Sequence, residues 1–94
     1  MLWLYDSRDR MHGKRKLYIL PLTHEGKRKA WDIVLDAEVM SDERDDYQFL
    51  VDTEDDDPEV HDCALFNDYW SEYGWLLLPV DDDTEIPHDA EVVA

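Results

Sequence analysis

No lysine or arginine follows Arg44, so every basic side chain of this 94-residue chain lies in its first half. Residues 45–94 contain 17 carboxylates and carry a formal charge of −17, whereas the residues before them carry about +1. Like charges oppose compaction, so the second half can fold only where large apolar side chains offset that repulsion. Such an asymmetry between two halves also favours a function that uses an oppositely charged partner.

The apolar content is high enough for a folded core despite the net charge of −16. Hydrophobic residues make up 44% of the chain and include four tryptophans, which is more than a wholly disordered chain carries. A chain of this length supports one core, so we predict a single domain over residues 1–80. Residues 81–94 begin with an acidic run and are predicted to form a flexible tail.

Five segments have the composition or the periodicity of β-strands. Three are short apolar runs rich in β-forming residues. In the other two, apolar and polar residues alternate, which is the period of a strand with one buried face. A polar loop is predicted over residues 7–14 and a turn over residues 23–27. The predicted strands are residues 2–5, 16–22, 31–40, 47–52 and 75–80.

One helix is predicted in the C-terminal half, over residues 58–73. Asp57 suits the N-cap and Pro58 the first helical position, while Gly74 suits the stop. Cys63, Phe66 and two aromatic residues after them recur at helical spacing, so they are expected to face the sheet. The predicted fold class is therefore α+β, with a small antiparallel sheet of four to five strands packed by this helix.

The chain lacks the motifs of metal sites and of common enzymes. The acidic runs that begin at Asp52 and Asp81 have neither the glycine at the sixth position nor the glutamate at the twelfth that an EF-hand loop needs. The four histidines and the single cysteine show no zinc-ligand spacing. No Gly-rich phosphate loop or nucleophile elbow is present, and Cys63 falls on the predicted core face of the helix, where cysteine behaves as a small hydrophobe. Together these observations lead us to expect no catalytic residue, no cofactor and no metal. A single cysteine also excludes an internal disulfide, which fits a reducing cytoplasm.

The carboxylates of the second half fall into three clusters that we predict to bind a partner. Side chains on one face of a strand repeat about every 6.6 Å, and phosphates of one DNA strand rise by about 3.4 Å, so ordered carboxylates can approximate a phosphate array. Asp32, Asp36 and Glu38 on the predicted third strand could extend this surface. The first acidic cluster is Asp42, Glu43, Asp45 and Asp46; the second is Asp52, Glu54, Asp55, Asp56, Asp57 and Glu59; the third is Asp81, Asp82, Asp83 and Glu85.

In size and charge alone, the chain resembles phage-encoded DNA mimics such as anti-CRISPR and anti-restriction proteins. The resemblance implies a non-enzymatic inhibitor in the host-cell cytoplasm that occupies the basic nucleic-acid channel of a nuclease, a glycosylase, or a CRISPR or restriction effector. Direct binding of the chain to nucleic acid is not expected, because its field is negative. No apolar run in the sequence is long enough to span a membrane.

Two other classes of function stay open. The first is an acidic adaptor, chaperone or antitoxin-like protein that binds another basic protein, and the second is a small enzyme or metal-buffering protein. An inhibitor abolishes nucleic-acid binding by its target, whereas an adaptor leaves that binding intact. Salt adaptation is a weaker explanation of the acids, because it would spread them over the whole surface and here they are confined to one half.

Overall fold

A four-stranded sheet is the framework of the molecule. The computed structural model describes residues 1–9, 14–56 and 58–93, with the backbone alone at residues 8, 9, 14 and 15. The strands β1 (Leu2–Asp9) and β2 (Lys14–Leu20) form an antiparallel hairpin. The strand β3 (Trp75–Pro79) pairs antiparallel with β1, and β4 (Glu91–Val92) pairs parallel with β2. The order is β3-β1-β2-β4, so the sheet is mixed and not wholly antiparallel as predicted.

The described residues form three α-helices, all between β2 and β3: α1 (His24–Glu38), α2 (Gln48–Asp55) and α3 (Ala64–Trp70). Short 3-10 helices precede α2 (Arg44–Tyr47) and follow α3 (Ser71–Tyr73). The α+β class is thus confirmed, with three α-helices in place of the one predicted. Within the same residues, no helix is both long enough and apolar enough to cross a bilayer.

The helices pack on one face of the sheet, here called the inner face. Strand side chains alternate between faces, and those of Leu2, Leu4 and Leu77 on the inner face are fully buried. The rings of Trp31 and Phe66 meet edge to face with centroids 5.3 Å apart. Burial contributes about 1.5–3 kcal/mol for each large apolar side chain, which opposes the repulsion among carboxylates. The core also contains Leu20, Ala30, Val34, Leu35, Leu50, Val51, Cys63, Trp70 and Trp75.

The opposite, outer face of the sheet is also apolar. Leu17 and Ile19 are buried there, whereas Leu76 and Leu78 are each 39% exposed. Pro87 of the C-terminal segment lines a groove together with Leu17 and Leu76, so this segment lies on the outer face. The outer-face side chains are Trp3, Tyr5, Leu17, Ile19, Leu76 and Leu78.

The strands predicted over residues 31–40 and 47–52 are wrong, because both segments are helical. The helix α1 also takes in most of the turn predicted over residues 23–27. In α1 the buried positions recur at the three- and four-residue spacing of a helix face, and Ala37, which the alternation placed inside, is exposed. In α2 the alternation placed Phe49 inside, yet Phe49 is 61% exposed. The buried residues are Gly26, Lys27, Ala30, Trp31, Val34 and Leu35 in α1, and Leu50, Val51 and Glu54 in α2.

Other element boundaries also differ from the prediction, among them that of β2, which was predicted over residues 16–22 and is Lys14–Leu20. The predicted helix over residues 58–73 starts only at Ala64, where the Asp62 side chain accepts a hydrogen bond from the Ala64 amide at 3.0 Å; its predicted cap, Asp57, lies outside the described residues. The predicted loop over residues 7–14 begins later, since β1 continues to Asp9, and residues 10–13 lie outside the described residues. The strand β4 falls in residues 87–94, for which no element was predicted. The flexibility of the tail stays a prediction.

Candidate acidic interface

The first acidic cluster lies on the connection between α1 and α2. Its four carboxylates are exposed, two in a turn and two on the 3-10 helix before α2. Arg44 stands between them in sequence but binds Asp32 and Asp36 of α1. These ion pairs hold the connection against α1 and use the arginine charge there, so the four cluster carboxylates keep their negative charge uncompensated by Arg44.

The second acidic cluster is divided by the structure. Asp52 and Asp56 are exposed, whereas Asp55 binds Arg28. Asp57 lies outside the described residues. Glu59 is exposed, and its carboxylate lies 3.2 Å from the imidazole of the neighbouring histidine at position 61. The cluster therefore presents fewer free charges than its sequence suggests.

Glu54 is not part of the surface, which corrects its assignment to the second cluster. It is 3% exposed, its Oε2 accepts a hydrogen bond from Trp31 Nε1, and its Oε1 lies 3.8 Å from Lys27 Nζ. Lys27 is 2% exposed and also donates to the backbone carbonyls of Glu59, at 3.3 Å, and of Asp62. Removing one partner of a buried ion pair costs about 3–5 kcal/mol, so Glu54 and Lys27 hold α1, α2 and the following loop together.

The third acidic cluster follows β3 and is joined to the start of the chain. All four of its carboxylates are exposed. The Met1 amine donates to the Val80 carbonyl at 3.0 Å and to Asp82 Oδ1 at 2.9 Å, and the Val80 amide donates to the Met1 carbonyl at 2.8 Å. The cluster thus begins at a fixed point, where β1 starts and β3 ends.

The second and third clusters lie at the same end of the sheet. Leu2 opposes both Leu20 and Pro79 in the strand ladders, so β2 and β3 end where β1 begins. The helix α1 starts four residues after Leu20, and its first turns contain Arg28, the partner of Asp55. The first cluster follows the opposite, C-terminal, end of α1.

Each basic side chain that the structure describes has a carboxylate partner. The pairs are Lys16 with Glu91 at 3.2 Å, Lys27 with Glu54 and Lys29 with Glu25 at 3.8 Å each, Arg28 with Asp55, and Arg44 with Asp32 and Asp36. A hydrogen bond to Tyr18, and then one to Glu91, raises the pKa of Lys16 above its usual value. The charges of these basic residues are therefore compensated by carboxylates of the same chain.

A large set of exposed carboxylates is left without such a partner. No cationic side chain of the described residues lies within ion-pair distance of them, and they occupy all three clusters, α3 with its following 3-10 helix, and the C-terminal segment. They are Asp42, Glu43, Asp45, Asp46, Asp52, Asp56, Asp68, Glu72, Asp81, Asp83, Glu85 and Asp89, together with Asp62 in the loop before α3.

The described residues offer no clear metal site or nucleophile. Nowhere among them do three His, Cys, Asp or Glu side chains come together to hold a metal ion. Burial raises the pKa of the Cys63 thiol to about 11, so almost no thiolate, the reactive form, exists at neutral pH. His24 and His61 each lie beside a carboxylate, Asp55 and Glu59 respectively. These side chains are accounted for by local ion pairing and packing.

The described residues thus combine basic side chains that are paired within the chain with a surplus of exposed carboxylates. No known protein family, curated protein or solved structure matches this chain.

Proposed function

We propose that this protein is an inhibitor that binds the basic nucleic-acid-binding surface of another protein, such as a nuclease or a CRISPR or restriction effector, and occludes it as a nucleic-acid mimic. The observation that carries the proposal is the division of charge. Every described cation is paired within the protein, whereas the acidic surplus is exposed. Such a surface attracts a cationic groove and offers little to an anion.

The clusters are also attached to the fold, which favours mimicry over the action of a loose acidic tail. Arg44 ties the connection that carries the first cluster to α1. Lys27 holds the backbone around Glu59 and Asp62, and the Met1 amine holds Asp82. Preorganised groups lose less conformational entropy on binding than groups on a free chain. Carboxylates presented in this way are suited to replace a row of phosphates.

The mechanism requires no chemical step. A nucleic-acid-binding protein gains affinity when its lysines and arginines displace the counterions condensed on phosphates. An acidic protein that occupies the same lysines and arginines removes that gain and blocks entry of the substrate. Association should be fast at low ionic strength and weaker as salt screens the charges.

The test is to capture a binding protein from the source cell with the immobilised chain and to measure whether the chain displaces labelled DNA or RNA from it. We expect displacement at a stoichiometry near one to one. A captured protein that keeps its nucleic-acid affinity in the presence of saturating chain would support an acidic adaptor instead and would overturn the inhibitor.

Two double variants of equal charge test whether the clusters matter. Asp81→Asn with Asp83→Asn removes two charges from the third cluster, and Asp68→Asn with Glu72→Gln removes two exposed charges outside the clusters. We expect the first pair to weaken displacement about tenfold and the second pair about twofold or less, since contacts within an interface outweigh long-range charge. Equal losses would mean that only total charge acts, which contradicts mimicry.

A further inference from the structure

A groove of about 610 Å³, which forms no part of the acidic clusters, runs from the outer face of the sheet to the strand positions of Asp6, Lys16 and Trp75. Its apolar lining includes Tyr5 of β1, Leu17 of β2, Leu76 of β3 and Pro87 of the C-terminal segment. The volume lies within the range of about 300–1,000 Å³ that is typical of small-molecule pockets, so the groove has room for one large side chain. Leu76 is 39% exposed here, so an occupant would remove apolar surface from water.

The charges around the groove restrict what it can take. Two carboxylates, Asp6 and Asp89, are part of its lining, together with one ammonium group, that of Lys16. Lys16 lies 3.2 Å from Glu91 and is already neutralised by it. Asp89 of the lining is exposed, and the molecule as a whole has a net charge of −16, so anionic lipids, nucleotides and phosphate esters are disfavoured.

We propose that this groove receives a large apolar side chain of the partner, flanked on the partner's own chain by lysine or arginine. Burial of the apolar side chain would anchor the complex, and the flanking cations would meet Asp89 and the acidic C-terminal segment. Interfaces often combine a central apolar anchor with a charged rim. The inference rests on the proposed function, because it assigns an anchor to the same basic partner.

The test uses two fluorescein-labelled peptides of equal charge, KRKRFKRKR and KRKRAKRKR, titrated with the full chain and followed by fluorescence anisotropy. The central phenylalanine should tighten binding about tenfold over alanine, which corresponds to about 1.4 kcal/mol, since its ring would leave water in the groove. In ¹⁵N-labelled protein, the phenylalanine peptide should shift the amide signals of Leu17 and Leu76 and the alanine peptide should not.

Two variants of the same strand locate the effect. Leu76→Ser alters the groove, whereas Leu78→Ser alters an outer-face residue that is equally exposed, 39%, but does not line the groove. The preference for phenylalanine should vanish in Leu76→Ser and persist in Leu78→Ser. A preference that survives in a folded Leu76→Ser protein would overturn the assignment to this groove. If Leu76→Ser does not fold, the amide shifts of the unaltered chain decide the location.

The remaining outcomes separate this inference from the proposed function. Equal binding of both peptides to the unaltered chain would overturn the groove and leave the acidic-mimic function standing. Binding of neither peptide at low salt would overturn both, because it would mean that the acidic surface does not attract a cationic chain.

Discussion

Gly26 lies where the first turn of α1 meets the turn that leaves β2. A Cβ at this position would overlap the carbonyl oxygen of Pro21 and lie 3.0 Å from its carbonyl carbon. That carbonyl cannot easily move away, because it accepts a hydrogen bond from the Thr23 amide at 2.9 Å. Thr23 in turn caps α1 by accepting a hydrogen bond from the Gly26 amide at 3.0 Å. The glycine is thus required by a close approach and not by its backbone angles.

Replacing Gly26→Ala should lower the free energy of unfolding by about 1–3 kcal/mol, the usual cost of forcing atoms into a packed site. The sign of this change in the free energy of unfolding is informative, because replacing glycine by alanine in an unhindered helix would raise the stability by about 1 kcal/mol. Urea unfolding followed by tryptophan fluorescence measures the difference. The neighbouring exposed change Glu25→Ala is the control and should stay within about 0.5 kcal/mol. A Gly26→Ala protein as stable as the parent would show that the contact with Pro21 is not rigid.

Single residues also explain where the candidate interface could and could not be predicted. Runs of acids read from the sequence identify exposed segments well, since most members of the three clusters are exposed. They do not show which carboxylate of a run turns inward. Glu54 does so because it lies three residues after Val51 and four after Leu50 on α2, a spacing that matters only once the segment is known to be helical. The burial of Lys27 beside it was missed for the same reason.

At the scale of elements, β3 is an edge strand that the fold protects. The Asn67 side chain donates to the Leu77 carbonyl at 2.9 Å and accepts from the Leu77 amide at 2.8 Å. These are the two hydrogen bonds that a further strand would make at this position. Pro79 follows Leu77 by two residues, so its backbone faces the same side of the strand, and it has no N–H to donate. The edge is thereby closed to pairing with another chain.

Asn67→Ala should lower the free energy of unfolding by about 1–3 kcal/mol, because the Leu77 amide and carbonyl lose their partners. The matched change Asp68→Ala, on the exposed side of the same helix, should stay within about 0.5 kcal/mol. Urea unfolding measures both, and light scattering should detect more self-association in Asn67→Ala than in Asp68→Ala. Equal stability and equal scattering in the two variants would mean that Asn67 contributes nothing to closing the edge.

The strands β1, β2 and β3 were predictable and the helices α1 and α2 were not, for a physical reason. The three strands are short apolar runs with an apolar inner and outer face, so few other structures suit them. In residues 31–39 the apolar side chains fall at every second position, which happens to satisfy a strand as well as a helix. The cap at Thr23 and the helix-forming residues that follow it were the signals that favoured the helix. The parallel pairing of β4 with β2 depends on only two residue pairs and leaves no pattern in the sequence.

At the scale of the whole molecule, the excess of negative charge lowers the stability of the fold, whereas in the proposed function it would strengthen binding. The net charge of −16 opposes the compact state. The internal ion pairs are mostly on the surface, where each contributes little. We therefore expect the repulsion to be the larger of the two electrostatic effects on folding, and in the proposed function the same charge would drive association with a cationic partner.

Raising NaCl from about 20 to 500 mM should therefore stabilise the fold and weaken the complex. Screening shortens the reach of charge interactions to a few ångströms at the higher salt, so we expect a gain on the order of 1 kcal/mol in the free energy of unfolding, which corresponds to about 4–8 °C in Tm for a domain of this size. Over the same range the logarithm of the affinity for the peptide KRKRFKRKR should fall linearly with the logarithm of the salt concentration.

A four-charge variant controls for salt effects unrelated to charge and should show a smaller gain in Tm. Its substitutions are Asp68→Asn, Glu72→Gln, Asp81→Asn and Asp83→Asn. A Tm that falls with salt would mean that the ion pairs of Arg28, Arg44 and Lys16 stabilise the fold by more than the repulsion among carboxylates destabilises it. That result would contradict the expectation that repulsion is the larger electrostatic effect on folding.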